Sequence, residues 1–145
     1  MSVTHDYEVM VSWKADRKGE LIAPGITGDI EVATPPEFPK GIEGIWSPEH
    51  LFTAAVNSCL MTTFLAIAEN SKLNFEHFDS SALGRLEMVD GKYVMSEITL
   101  RPVLTITNEL DKERAERVLQ KSEANCLISN SITSKINFEP VIKVA

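Results

Sequence analysis

Two cysteines are the residues of this chain best suited to chemistry, and their surroundings differ from ordinary core packing. Cys59 lies in an apolar, helix-forming run, Ala54-Ala55-Val56-Asn57-Ser58-Cys59-Leu60-Met61-Thr62-Thr63-Phe64. Asn57, Ser58, Thr62 and Thr63 give the thiol polar neighbours that a packing face does not need. Cys126 closes a charged helical stretch at Glu123-Ala124-Asn125-Cys126, where a helix frays and a thiol can move. The separation is too long for a CxxC redox loop, and two thiols cannot enclose a tetrahedral zinc. Disulfide chemistry between them stays open. A thiolate is the reactive form, and a guanidinium nearby lowers a thiol pKa while staying charged itself. Arg17, in Asp16-Arg17-Lys18-Gly19 beside a strand end, is placed to supply that charge. Each residue also has a plainer reading. A buried helical cysteine is commonly a small hydrophobe, Arg17 a solvated turn residue, and Glu49 a first-turn carboxylate.

The elements that must position these groups follow from local pattern. Residues Glu8–Trp13 alternate polar and apolar and predict a strand, with Asp16–Gly19 as a turn and Glu20–Ala23 as the returning arm. Gly28–Ala33 reads as another strand, and Thr34–Trp46, rich in Pro and Gly, as a loop. Ser47-Pro48-Glu49 is a strong helix start: a capping hydroxyl, a proline at the first helical position and a carboxylate at the positive end of the dipole. That helix should reach Asn70 or Ser71, with apolar residues over much of its circumference. Ser81–Val89 and Tyr93–Thr107 flank Asp90-Gly91-Lys92, a hairpin signature. Asp111 is expected to cap a second helix from Lys112 to about Asn125, burying Ala115, Val118 and Leu119, and Ser134–Val144 to form a final strand. The predicted architecture is α+β, antiparallel sheets on a long apolar helix and a shorter amphipathic one, in a single domain over 1–145.

Composition narrows the function classes. The 145 residues are 43% hydrophobic and 24% charged, ordinary values for a folded domain. Fourteen basic against 21 acidic side chains leave −7, which argues against nucleic acid and anionic membrane as partners. The apolar stretch around Cys59 is interrupted by polar residues, so no membrane span is expected. The N-terminal residues lack the basic and apolar regions of a signal peptide, so the expected compartment is the reducing cytoplasm. A lasting structural disulfide is unexpected there, and a cysteine pair points to turnover or sensing.

Taken in order, these residues resemble the OsmC/Ohr family of bacterial thiol peroxidases, named for osmotically inducible protein C and organic hydroperoxide resistance. The resemblance covers nearly the whole chain. It is carried by Ser47-Pro48-Glu49-His50-Leu51-Phe52-Thr53-Ala54-Ala55-Val56-Asn57-Ser58-Cys59, by Asn125-Cys126-Leu127-Ile128-Ser129-Asn130-Ser131-Ile132, and by Ala33-Thr34-Pro35. It implies that Cys59 is the peroxidatic cysteine, Cys126 the resolving one, Arg17 the active-site arginine and Glu49 the carboxylate that pairs with it. It also implies an intertwined homodimer, an organic hydroperoxide substrate, a Cys59–Cys126 disulfide and a dithiol reductant, a lipoylated protein in the hydroperoxide-resistance branch. No metal, haem or flavin is called for, because the oxidising equivalent comes with the substrate. Leu127 stands where that branch usually carries proline, and Ser47 where asparagine is common.

Helix geometry sets a constraint of its own. Glu49 and Cys59 on one straight helix are about 15 Å apart along the axis, so a single arginine hardly reaches both. Either the helix breaks, or Arg17 and Glu49 of one chain complete the site around Cys59 of another. Two other function classes stay in view: a non-catalytic thiol sensor or small-ligand binding protein on the same scaffold, and a structural dimer with incidental core thiols.

Overall fold

Asp16 and Arg17 make the turn between strands β1 (Met10–Ala15) and β2 (Lys18–Ile22), with Asp16 at a φ of 49°. In this computed structural model, which describes residues 3–145, contacts divide the chain into two compact units, Met1–Leu51 and Phe52–Ala145. The first unit is an antiparallel sheet in the order β1-β2-β3, where β3 is Ile30–Ala33. Pairing of Val11 with Leu21, of Leu21 with Ile30 and of Gly19 with both Trp13 and Val32 puts these side chains on one apolar face. The 34–46 loop closes on itself through short turns, with Ile42 N–H donating to Thr34 and Ala33 N–H to Trp46.

Helix α1 (Pro48–Asn70) begins at the predicted residue. Ser47 Oγ accepts from the His50 N–H at 3.2 Å, and the Ser47 N–H donates to His50 Nδ1 at 3.2 Å. This is a capping box with histidine in the place usually taken by Glu or Gln. The helix ends without glycine: Lys72 takes a φ of 53°, and the Leu73 N–H closes on the Ala68 carbonyl at 2.9 Å. By length and composition alone α1 would reach across a bilayer, a test that a core helix also passes. Its Val56, Leu60, Phe64 and Ala68 instead enter the core of the second unit.

That core is built on a long hairpin, β4 (Phe75–Val89) and β5 (Lys92–Ile106), turned at Asp90 and Gly91 with φ of 50° and 77°. Positive φ at both positions is what a two-residue hairpin of the proper twist requires, and glycine meets it without strain. Alternate residues of β5, namely Ile98, Leu100, Pro102, Leu104 and Ile106, are fully buried beneath the helices. Helix α2 (Lys112–Ala124) contributes Ala115, Val118 and Leu119, as its stripe predicted.

Three expectations change. Asp111 makes no side-chain cap; Asn108 accepts from the Leu110 N–H and starts a short 3-10 turn leading into α2. The final strand is two, β6 (Lys135–Phe138) and β7 (Val141–Val144), interrupted at Glu139-Pro140. Both pair with β5 in parallel, so this sheet is mixed rather than purely antiparallel. Pro102 lies in the gap they leave, between the β6 partners Glu97–Leu100 and the β7 partners Val103–Ile106. A residue with no N–H to donate is tolerated where the ladder is interrupted.

Gly84 sets how closely α1 approaches β4, since a side chain there would run into Thr53 Oγ1 and Met95 Cε. Gly84→Ala is therefore expected to destabilise the chain by about 1–3 kcal/mol, the scale of an overpacked core. A urea midpoint equal to that of the parent would contradict this.

Candidate active site

The two cysteines that the sequence singles out come together in the second unit. Cys59 faces inward from the middle of α1, and Cys126 follows the end of α2 in a turn closed by the Asn130 N–H on the Cys126 carbonyl at 3.0 Å. Both are buried free thiols. The Cys126 thiol donates to the Val56 carbonyl at 3.9 Å, and the two thiols lie close enough for each to bear on the ionisation of the other. Cys126 therefore has no need of a large movement to meet Cys59.

Electrostatics separate the pair. Burial pushes the Cys59 thiol up, but the Ile128 N–H, the Cys126 thiol, the Thr63 hydroxyl and the Leu127 N–H, in falling order, outweigh it. Cys59 thus lies below its ordinary value. Burial also pushes Cys126 up; the Ser129 hydroxyl and N–H oppose this, and the hydrogen bond to Cys59 and the charge on Cys59 add to it. Cys126 lies above its ordinary value. The groups named as favouring the Cys59 anion are neutral dipoles, two of them main-chain amides gathered in one turn.

Of the polar residues near Cys59, only Thr63 meets its sulfur, at 3.8 Å and one helical turn on. Asn57 instead fastens α1 to β4: its Nδ2 donates to the Ser80 carbonyl at 2.8 Å while Ser80 Oγ donates to its Oδ1 at 2.6 Å. Ser58 and Thr62 turn back to main-chain carbonyls of their own helix. The amides of Leu127 and Ile128 were invisible to side-chain reasoning. The one sequence signal for them is Leu127 itself, which keeps an N–H that proline would lack.

Arg17 and Glu49 belong to the first unit. Arg17 is an exposed turn residue whose carbonyl accepts from the Thr34 N–H at 3.2 Å. Glu49 is half-buried in the first turn of α1. Among the described residues no group of three or more His, Cys, Asp or Glu side chains is arranged to hold a metal.

Native alkylation with peptide mapping should find the two thiols on opposite sides of their usual titration range. Cys59 is expected to react with a midpoint below that range, losing reactivity as acid protonates its sulfur, and Cys126 only above it. Leu127→Pro removes one amide donor and should raise the Cys59 midpoint. An unchanged midpoint would show that this amide does not hold the anion.

The sequence pattern of OsmC-like proteins matches residues 41–141. A Staphylococcus aureus protein named organic hydroperoxide resistance protein-like is 26% identical over 138 residues, covering 95% of this chain and 96% of that one. Among solved structures, an OsmC-like protein of unknown function from Vibrio cholerae superposes with a TM-score of 0.83 at 25% identity, over 95% of this chain and 100% of its own. An organic hydroperoxide resistance protein from Elizabethkingia anophelis shares the fold at 17% identity, with a TM-score of 0.78 and complete coverage, 100%, of both chains. With the family pattern spanning both cysteines and most of the chain, this protein belongs to the OsmC-like protein family.

Proposed function

We propose that the chain is a thiol-dependent peroxidase that reduces organic hydroperoxides in oxidative-stress defence, with Cys59 peroxidatic and Cys126 resolving. The observation that carries this reading is two buried free thiols brought together from α1 and the turn after α2, with Cys59 biased to the thiolate and Cys126 to the thiol. The names of the relatives point the same way. In the first step Cys59 thiolate attacks the distal peroxide oxygen and the O–O bond breaks. The alkoxide takes a proton and leaves as alcohol, and Cys59 becomes a sulfenic acid. Cys126 then forms the S–S bond as the S–O bond breaks and water leaves. An external dithiol, such as a lipoylated protein in the cytoplasm, is oxidised as it returns both thiols.

In this scheme Arg17 stabilises charge developing on the peroxide oxygens, and Glu49 orients the guanidinium. They act within one chain or from the second copy of a homodimer. Support for a second copy is apolar surface that one chain leaves bare: Trp13 is 76% exposed on the first unit's sheet, and Met61 and Leu65 are exposed along α1. Mixing Cys59→Ser chains with Arg17→Ala chains tests the sharing, since mixed dimers should regain activity and none would be regained from sites confined to one chain.

The direct test follows loss of cumene hydroperoxide in the presence of excess dithiothreitol. Sustained turnover is expected. Consumption of a single equivalent would indicate a sensor instead, and no consumption would leave the thiols a structural role.

A further inference from the structure

Ser129 has a hydroxyl that the fold does not otherwise explain. The residue is 8% exposed, and its Oγ is buried without a hydrogen bond of ordinary geometry. Hydroxyls shut away from water are normally satisfied, because leaving one unpartnered is costly. Ser129 stands three residues after Cys126 in the turn that the Asn130 N–H closes on the Cys126 carbonyl at 3.0 Å, and its hydroxyl and N–H both favour the Cys126 anion. A hydroxyl left unpartnered near a neutral thiol has an acceptor once that thiol ionises, since anionic acceptors make shorter and stronger hydrogen bonds. The turn closed between Cys126 and Asn130 keeps the hydroxyl beside the sulfur, and Asn130 Nδ2 ties the same turn back to the Ala124 carbonyl at 3.1 Å.

The demand on Cys126 changes during the cycle. While Cys59 carries the negative charge, a second anion beside it is unfavourable, and Cys126 serves as a donor. Once Cys59 is a sulfenic acid that charge is gone, and Cys126 must itself shed a proton to attack. We propose that Ser129 is a positioning residue for this second step, its buried hydroxyl turning to the Cys126 sulfur and holding it as the attacking anion. The inference rests on the peroxidase reading. The S–S bond forms as the S–O bond of the sulfenic acid breaks, and the departing hydroxide takes the proton given up by Cys126, leaving water. The oxidant is the peroxide already consumed.

The test treats the reduced protein and its Ser129→Ala variant with one equivalent of cumene hydroperoxide and follows two steps by rapid acid quench and mass spectrometry. In Ser129→Ala, formation of the sulfenic acid should stay within about twofold of the parent, which also reports that the Cys59 seat is intact. Disulfide formation should slow by about tenfold, the scale of one pKa unit lost from the attacking sulfur. Its pH midpoint should rise accordingly, and sulfinic acid should accumulate under excess peroxide. A disulfide step of unchanged rate and midpoint would overturn the proposal, as would both steps slowing in proportion. Should the parent protein itself form no sulfenic acid, the peroxidase reading fails instead, an outcome visible before the variant is compared.

Discussion

Cys59→Ser is expected to abolish cumene hydroperoxide turnover, a fall of about three orders of magnitude or more, the scale seen when a covalent nucleophile is removed. Serine keeps the shape but not the ionisation: the neutral donors from Ile128, Cys126, Thr63 and Leu127 bring a thiol below its usual range, whereas a hydroxyl stays protonated beside them. Cys126→Ser separates the steps. Its serine hydroxyl can still donate toward the Cys59 anion, so the first step should remain. The protein should then consume about one equivalent and stop at the sulfenic acid or a higher oxide. Sustained turnover in Cys59→Ser, followed by peroxide loss with excess dithiothreitol, would remove Cys59 from the mechanism.

Phe64→Ala should produce the largest loss of stability, about 3–5 kcal/mol. Phe64 is fully buried in the middle of α1, stacks on Phe78 with ring centroids 4.7 Å apart, and meets Phe75 edge-on at 5.1 Å. It also belongs to the cluster that joins α1 to Leu104 and Ile106 of β5 and to Ala115, Val118 and Leu119 of α2. Removing the ring leaves a cavity on which three elements converge, and none of them can close it alone. Total stabilities of about 5–15 kcal/mol are usual, so the variant is expected to be partly unfolded at physiological temperature. Chemical denaturation measures the effect, and a loss under about 1 kcal/mol would mean that the site collapses freely. Phe64→Leu, which refills most of the space, should recover much of it.

The features legible in the sequence were those written in local chemistry. Ser47-Pro48 marks the start of α1, and Asp90-Gly91 marks a turn whose φ values only certain residues accept. The apolar stripe of α2 gave the buried residues, because helical spacing carries that information directly. Pairing between distant segments was less readable. Nothing in Ser134–Val144 announces parallel partners, although Pro140 marks the break that makes two strands of one. At the site, both cysteines were legible as residue types, and Thr63 only as one of four polar neighbours of Cys59, since helical spacing left Thr62 and Thr63 equally placed. The Leu127 and Ile128 amides were not, since every residue except proline has an N–H and only the fold decides where it points. The donors that the second unit itself gathers around Cys59 are neutral.

Intact mass measured after a single equivalent of organic hydroperoxide decides whether the two sulfurs act as one redox pair. The loss of two hydrogen atoms is expected, with peptide mapping linking Cys59 to Cys126. An unchanged mass, or added oxygen on Cys59 with Cys126 still free, would contradict it.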